Sequence, residues 1–317
     1  MEKESDEEKR YRFFPLLPGD NPKKNDVVGE AGNFIENLEL NIENAGMFKI
    51  MGTNPEKTFL ISGPPGVGKT YGIQALNNHM NKRIKKDLFS QDSKIDLSEL
   101  GVLCYPYDIG RYGTAFINRG SRIVQAFFDN CFYMASKGIN VLAYMDEVDA
   151  LLSDRKNQFQ SHKEDAKVLE TIMKNMQIAH DTDNMYVVLM TNLEEMCDKA
   201  AIRAGRIDAR IELKLPIDEE RRFSFVKAIK KVNKNAGYKV IRGANIDNLV
   251  EMSNNFSYAD IFQVVENSVK KRVKELIISD RRIVQNCYVA GKRLEDGLKE
   301  HAISFKLKES RKIGFCR

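Results

Sequence analysis

The chain has 317 residues, enough for one α/β domain and a smaller companion. Hydrophobic residues make up 42% and charged residues 30%, a soluble globular composition that argues against a disordered or fibrous chain. A net charge of +5 is too mild to argue for nucleic acid on its own, and no run approaches the roughly 18–20 apolar residues needed to span a bilayer.

The first eight residues, Met1 to Glu8, are acidic and lack the apolar region of a signal peptide. Pro15, Pro18, Gly19 and Pro22 then punctuate a segment that reads, over residues 1–25, as a flexible or extended arm. No folded module is expected before residue 26. Phe34, Leu38 and Ile42 recur at helical spacing and predict an amphipathic helix. Next comes the apolar run Thr58-Phe59-Leu60-Ile61, a buried strand, followed by Gly63-Pro64-Pro65-Gly66-Val67-Gly68-Lys69-Thr70 and a helical pattern. Strand, glycine loop and helix form the context that G-x-x-x-x-G-K-[ST] requires to bind phosphate. The glycines let backbone N–H groups converge on phosphate oxygens, and the helix N-terminus favours negative charge. Lys69 is placed to reach the β- and γ-phosphates, and the Thr70 hydroxyl to ligate Mg²⁺. The motif implies ATP or GTP.

Further along, residues 77–98 read as the end of that helix and a polar surface excursion. Gly101 to Tyr105 is a second strand; Ile123, Val124, Phe127 and Phe128 lie on one helical face. The strand Asn140 to Met145 ends directly in Asp146-Glu147. A long helix over 163–179 leads to a fourth strand, Met185 to Met190, which ends in Thr191-Asn192. Strands alternating with helices predict a parallel sheet with helices on both faces. Asp146 at a strand's carboxyl end suits Mg²⁺, Glu147 suits polarisation of the attacking water, and the Asn192 amide suits its orientation. After Pro216 the pattern is helical, at 222–233, 246–252 and 258–278, with a basic tail beyond 305. The expected organisation is an arm at 1–25, an α/β nucleotide-binding part at 26–216, a helical lid at 217–305 and a tail at 306–317. The five cysteines (Cys104, Cys131, Cys197, Cys287 and Cys316) are scattered and odd in number, which fits reduced thiols in a cytoplasmic protein rather than a disulfide framework or a zinc site.

Together the phosphate loop, Met145-Asp146-Glu147-Val148-Asp149 and Thr191-Asn192 resemble the AAA family of the AAA+ ATPases, which includes proteasomal ATPases, NSF, katanin and FtsH. The stretch Thr191 to Asp208 is similar, without a gap, to the family's T-N-x-x-x-x-L-D-x-A-x-x-R-P-G-R-F-D. Asp26-Val27-Val28-Gly29 resembles the adenine-side D-[IV]-x-G, and Phe256 to Ile261 resembles the lid's F-S-G-A-D-[IL]. The resemblance implies a P-loop α/β domain followed by a helical lid. It also implies base contacts from Asp26, Val27, Val28, Tyr258 and Ala259, and phosphate contacts from Pro65, Gly66, Val67, Gly68, Lys69 and Thr70. Arg206 takes the place of the arginine finger that enters a neighbour's site, so a homo-oligomeric ring, usually a hexamer, is implied. The family's second finger position holds Ala209; either the adjacent Arg210 substitutes through a local shift or Arg206 acts alone. Tyr258 stands where the family has Gly. Phe116 and Ile117 align with the pore loop that grips a protein chain, although Ala115 and Asn118 depart from its pattern. Residues 153–163 fall on a second pore loop.

The function implied is Mg²⁺-dependent ATP hydrolysis that threads, unfolds or disassembles a protein partner, without cleavage, because no H-E-x-x-H is present. Two alternatives remain open from sequence: a nucleic-acid-associated AAA+ motor or loader, kept alive by the basic tail, and a nucleotide-gated assembly switch with little turnover.

Overall fold

A computed structural model describes residues 12–82, 100–109, 120–151, 161–192, 207–278 and 287–314. The chain divides into two compact units, Met1–Pro64 with Gly68–Lys214, and Pro65–Val67 with Leu215–Arg317.

The first unit is built on a parallel sheet of five strands: β1 (Thr58–Ser62), β2 (Leu103–Asp108), β3 (Val141–Asp146), β4 (Met185–Thr191) and β5 (Ala209–Glu212), in the order β2-β3-β4-β1-β5. Strands covered on both faces must be apolar throughout. β1 and β4 are buried at every position, and β3 at all but its last. β2 starts two residues later than the sequence pattern suggested and runs through Pro106. That proline is tolerated because β2 lies at an edge, where a missing N–H breaks no central ladder. β5, the other edge, shows alternating half-exposed and exposed residues, too short a pattern to stand out in sequence.

Helices α1 (Gly29–Glu43), α2 (Ala45–Ile50), α3 (Lys69–Met80), α4 (Gly120–Ser136) and α5 (Ser161–Asp181) complete this unit. Phe34, Leu38 and Ile42 are buried on α1, and Ile123, Val124, Phe127 and Phe128 on α4, as their spacing dictates. Phe127 is the centre of an aromatic cluster, edge-on to Phe13, Tyr107 and Phe128 at centroid separations of 5.2, 5.1 and 5.5 Å. Burial pushes the thiols of Cys104 and Cys131 upward, so both stay protonated and inert.

The arm, expected to be flexible or extended, has no regular secondary structure over residues 12–19. From residue 12 onward it is laid against the first unit. Phe13 packs on Phe127, and the Leu16 N–H donates to the Cys104 carbonyl of edge strand β2 at 2.7 Å. Further on, the Gly19 N–H donates to Asn78 Oδ1 at 2.6 Å and Asn78 Nδ2 donates to the Pro22 carbonyl at 2.9 Å. The partners lie about 60 to 110 residues away, so local composition could not reveal them.

The second unit contains α6 (Asp218–Ala236), β6 (Ile241–Arg242), α7 (Ile246–Met252), α8 (Tyr258–Ile278), β7 (Val289–Ala290) and α9 (Gly291–Gly314), with β6 and β7 paired in parallel. Phe225, Leu249, Ile261, Val264, Val265, Leu294 and Leu298 form its core. Asn245 caps α7 by accepting from the N–H groups of Asp247 and Asn248. The expected tail begins within α9, whose backbone stays helical through Gly314. Among the described residues no helix is long and apolar enough to cross a membrane.

Candidate nucleotide site

The carboxyl ends of β1, β3 and β4 meet at one place because the strands are in parallel register, with Ser62 opposite Thr191 and Met145 opposite Leu189. In open parallel sheets this end receives ligands. Directly after β1 the chain enters Gly63, where φ is 148° and a Cβ would lie 2.2 Å from the Leu213 carbonyl oxygen. Only glycine lets the loop leave the sheet beside β5. Gly68, at φ 98°, is the N-cap of α3, which opens with Lys69 and Thr70.

Lys69 is 7% exposed. Its Nζ donates to the carbonyls of Gly63 and Pro64 at 2.7 and 3.1 Å, and to Asn192 Oδ1 at 2.7 Å. Burial holds its ammonium below the ordinary value, while Asp146, Asp149 and Glu147 pull the other way. Thr70 Oγ1 donates to Asp146 Oδ2 at 2.5 Å. The other oxygen, Asp146 Oδ1, accepts the Glu147 N–H at 2.9 Å. Glu147 is exposed and takes a φ of 56°, an uncommon conformation for a residue with a side chain, which turns the chain sharply out of β3.

Two carboxylates that the sequence reading gave no role organise this region. Asp149 Oδ1 accepts from Thr191 Oγ1 and from the Asn192 N–H, both at 3.1 Å, which ties the end of β4 to the turn after β3. Asp208 works at the opposite end of the sheet. Its Oδ2 accepts the N–H groups of Lys57 and Thr58 at 2.8 and 2.9 Å, and His180 Nδ1 lies 3.0 Å from Oδ1, at an angle too poor for a hydrogen bond. Burial opposes its ionisation, yet those bonds, the Thr58 hydroxyl and His180 outweigh burial and hold its carboxyl below the ordinary aspartate value. Both residues stand inside the quoted motifs, but only the fold supplies their partners.

Other predicted residues are distributed as follows. Asp26, Val27 and Val28 form the turn entering α1, in a segment packed against α3, and the Asp26 carboxylate accepts the Lys23 N–H. Pro65–Val67 group with the helical unit. There the Ala259 N–H donates to the Gly66 carbonyl at 3.2 Å, and a Cβ on Gly66 would lie 2.5 Å from Ser257 Oγ. Tyr258 Oη donates to Glu220 Oε2 at 2.8 Å, so this tyrosine is braced against α6. Arg210 is exposed on β5 with Leu60 as its register partner. Arg206, Phe116, Ile117 and residues 153–160 of the second expected pore loop lie outside the described residues.

The residues suit a nucleoside triphosphate and Mg²⁺. The loop is kept free of Cβ atoms where they would collide, one lysine sits among its carbonyls, and Thr70 with Asp146 offers the hard oxygen donors magnesium takes. Among the described residues no three His, Cys, Asp or Glu side chains form a metal cluster.

A parallel sheet with a glycine loop opening into a lysine-headed helix, and an acidic strand end hydrogen-bonded to the helix threonine, defines a P-loop nucleotide-binding protein. Residues 59–215 match the family described as "ATPase family associated with various cellular activities (AAA)", and the chain therefore carries an AAA-family ATPase domain. It is 25% identical to a proteasome-activating nucleotidase of Sulfurisphaera tokodaii, over 81% of this chain and 59% of that protein. A proteasome-associated ATPase of Rhodococcus erythropolis is 28% identical over 64% of this chain and 34% of the relative. The proteasome-activating nucleotidase 2 of Haloferax volcanii is 30% identical over 71% and 48%. The chain thus spans between a third and three fifths of the length of these relatives.

Proposed function

We propose that this chain hydrolyses ATP with Mg²⁺ as a subunit of a homo-oligomeric, hexameric ring in the cytoplasm, and uses the cycle to thread, unfold or disassemble a protein partner. The observation that carries the reading is the convergence of Lys69, Thr70, Asp146 and Asn192 on one strand-end cluster. Lys69 would exchange its loop carbonyls for the β- and γ-phosphates, and loop N–H groups would hold the remaining oxygens. Thr70 and Asp146 would hold Mg²⁺, which when bound neutralises charge on the phosphate oxygens. Glu147, tied to Asp146 through its backbone and exposed, would accept a proton from the attacking water, and Asn192, fixed through Asp149, would orient that water. Arg206 would complete a neighbour's site, and Phe116 with Ile117 would grip the partner. The relatives named for proteasome activation support action on a protein.

The test is ATPase rate against protein concentration, with mass measured in ATP, for wild type, Glu147→Gln and Arg206→Ala. Specific activity should rise with concentration as a ring assembles and collapse in both variants, a finger being worth roughly 10³–10⁵ in rate. Concentration-independent activity with a silent Arg206→Ala would remove the ring mechanism.

A further inference from the structure

Charge is divided unevenly along the chain. Residues 1–214 hold 28 Lys and Arg against 32 Asp and Glu, whereas residues 215–317 hold 22 against 13. Within the helical unit the excess is concentrated further: residues 221–246 contain eight Lys and Arg and no acidic residue. Lys227, Lys230, Lys231 and Lys234 recur on α6 at i, i+3, i+4 and i+7, so they form a stripe on one face. Lys227 and Lys231 both place their ammonium groups 6.0 Å from the Phe262 ring centroid. Glu266, which borders the stripe from α8, is engaged by Lys270 at 2.6 Å.

At the end of α6 the stripe meets a corner built to hold two tyrosines outward. Gly237, at φ 74°, closes the helix, and Asn233 Oδ1 accepts the N–H groups of Val240 and Ile241 at 2.8 and 3.1 Å. These bonds fix the turn that carries Tyr238 and Lys239 into β6. Tyr238 Oη donates to the Cys287 carbonyl at 3.3 Å, which brings Tyr238 beside the segment containing Tyr288. The Arg242 guanidinium lies 5.2 Å from the Tyr288 ring centroid, and its Nε donates to the Lys239 carbonyl at 3.2 Å. Tyr238 and Tyr288 remain 44% and 43% exposed.

We propose that this corner is a binding surface for single-stranded nucleic acid, with the lysines on phosphates and the two tyrosines and Arg242 stacking on bases. A lysine stripe alone would suit any acidic polymer. Flat aromatic faces held at the end of such a stripe are what unpaired bases use, and a carboxylate side chain gains nothing comparable from them. A duplex keeps its base faces stacked internally, so the rings discriminate for single strands. The surface lies wholly in the helical unit, and its test needs neither hydrolysis nor a ring.

The protein is titrated into a fluorescently labelled single-stranded oligonucleotide of about 20 nucleotides, longer than the roughly 4–16 that one such surface covers. Anisotropy is read between about 50 and 200 mM salt. Binding should weaken steeply with salt. Lys230→Glu combined with Lys234→Glu should lower affinity by about tenfold or more at low salt and flatten the salt dependence. Tyr238→Ala combined with Tyr288→Ala should cost about tenfold or more at an unchanged salt slope, and Phe at both positions should restore most of it. Absence of binding by the wild type at low salt overturns the proposal. So does a silent tyrosine pair, or displacement of the probe by polyglutamate or duplex DNA as readily as by the unlabelled single strand, which would mark a surface that reads charge alone.

Discussion

The two ends of β1 each bury a lysine, and the pair shows how one side chain serves as a fastening in one place and a tool in another. Lys57, just before the strand, sends its Nζ to the carbonyls of His180 and Thr182 at 3.0 and 2.9 Å. Lys69, just after it, bonds two loop carbonyls and Asn192. Burial holds both ammonium groups below their ordinary value. The difference lies in what surrounds them. At the amino end Asp208 also ties Lys57 and Thr58 through their backbone, so the lysine closes a network on itself. At the carboxyl end the partners are a glycine loop and a strand-end amide, beside the groups suited to phosphate and metal.

The same substitution at both ends should therefore separate activity from stability. Lys69→Met should lower ATP turnover by about 10²–10³-fold, as expected when a group that stabilises transferred charge is lost, and should cost roughly 1–3 kcal/mol in urea unfolding because its three acceptors are left unpaired. Lys57→Met should cost about 1–3 kcal/mol in urea unfolding, because two carbonyls lose their donor, yet retain turnover per folded molecule. Equal losses of turnover in both variants would erase the contrast. Gly63→Ala should fall between the two. Its Cβ would overlap the Leu213 carbonyl, so a stability loss of about 1–3 kcal/mol should accompany weakened nucleotide binding.

The smallest effect concerns pH at the amino end. Asp208 ionises more readily folded than unfolded, so between its folded pKa and the ordinary aspartate value the unfolded chain binds the extra proton. Its stabilisation is fully present above that value and is lost as pH falls through the folded pKa. Asp208→Asn should cost about 1 kcal/mol at neutral pH in chemical denaturation, and its deficit against wild type should shrink on acidification below the ordinary aspartate range. A deficit that persists unchanged in acid would show that packing, rather than charge, carries the contribution.

Much of this arrangement is legible in the sequence where signals are local. The central strands are continuous apolar runs, and the glycine loop sits between strand and helix patterns, so the parallel sheet and the proximity of Thr70 to Asp146 follow from order and spacing. What was not legible depends on distant partners. Asp149 and Asp208 look like acidic turn residues until the register brings Thr191 and Lys57 beside them. β5 is four residues long at a sheet edge, where neither burial nor periodicity is strong. Tyr258 departs from the lid pattern in sequence, and only the fold shows its hydroxyl on Glu220.

The arm has a mechanical corollary. Leu16 is bonded to the edge strand, and Asn77 and Asn78 near the far end of α3 hold Leu16, Gly19 and Pro22. A load applied ahead of residue 12 would therefore be shared between β2 and the same helix whose first turn presents Lys69 and Thr70. Tension at that end would reach the phosphate-binding helix from behind, through two asparagines, without passing along the glycine loop.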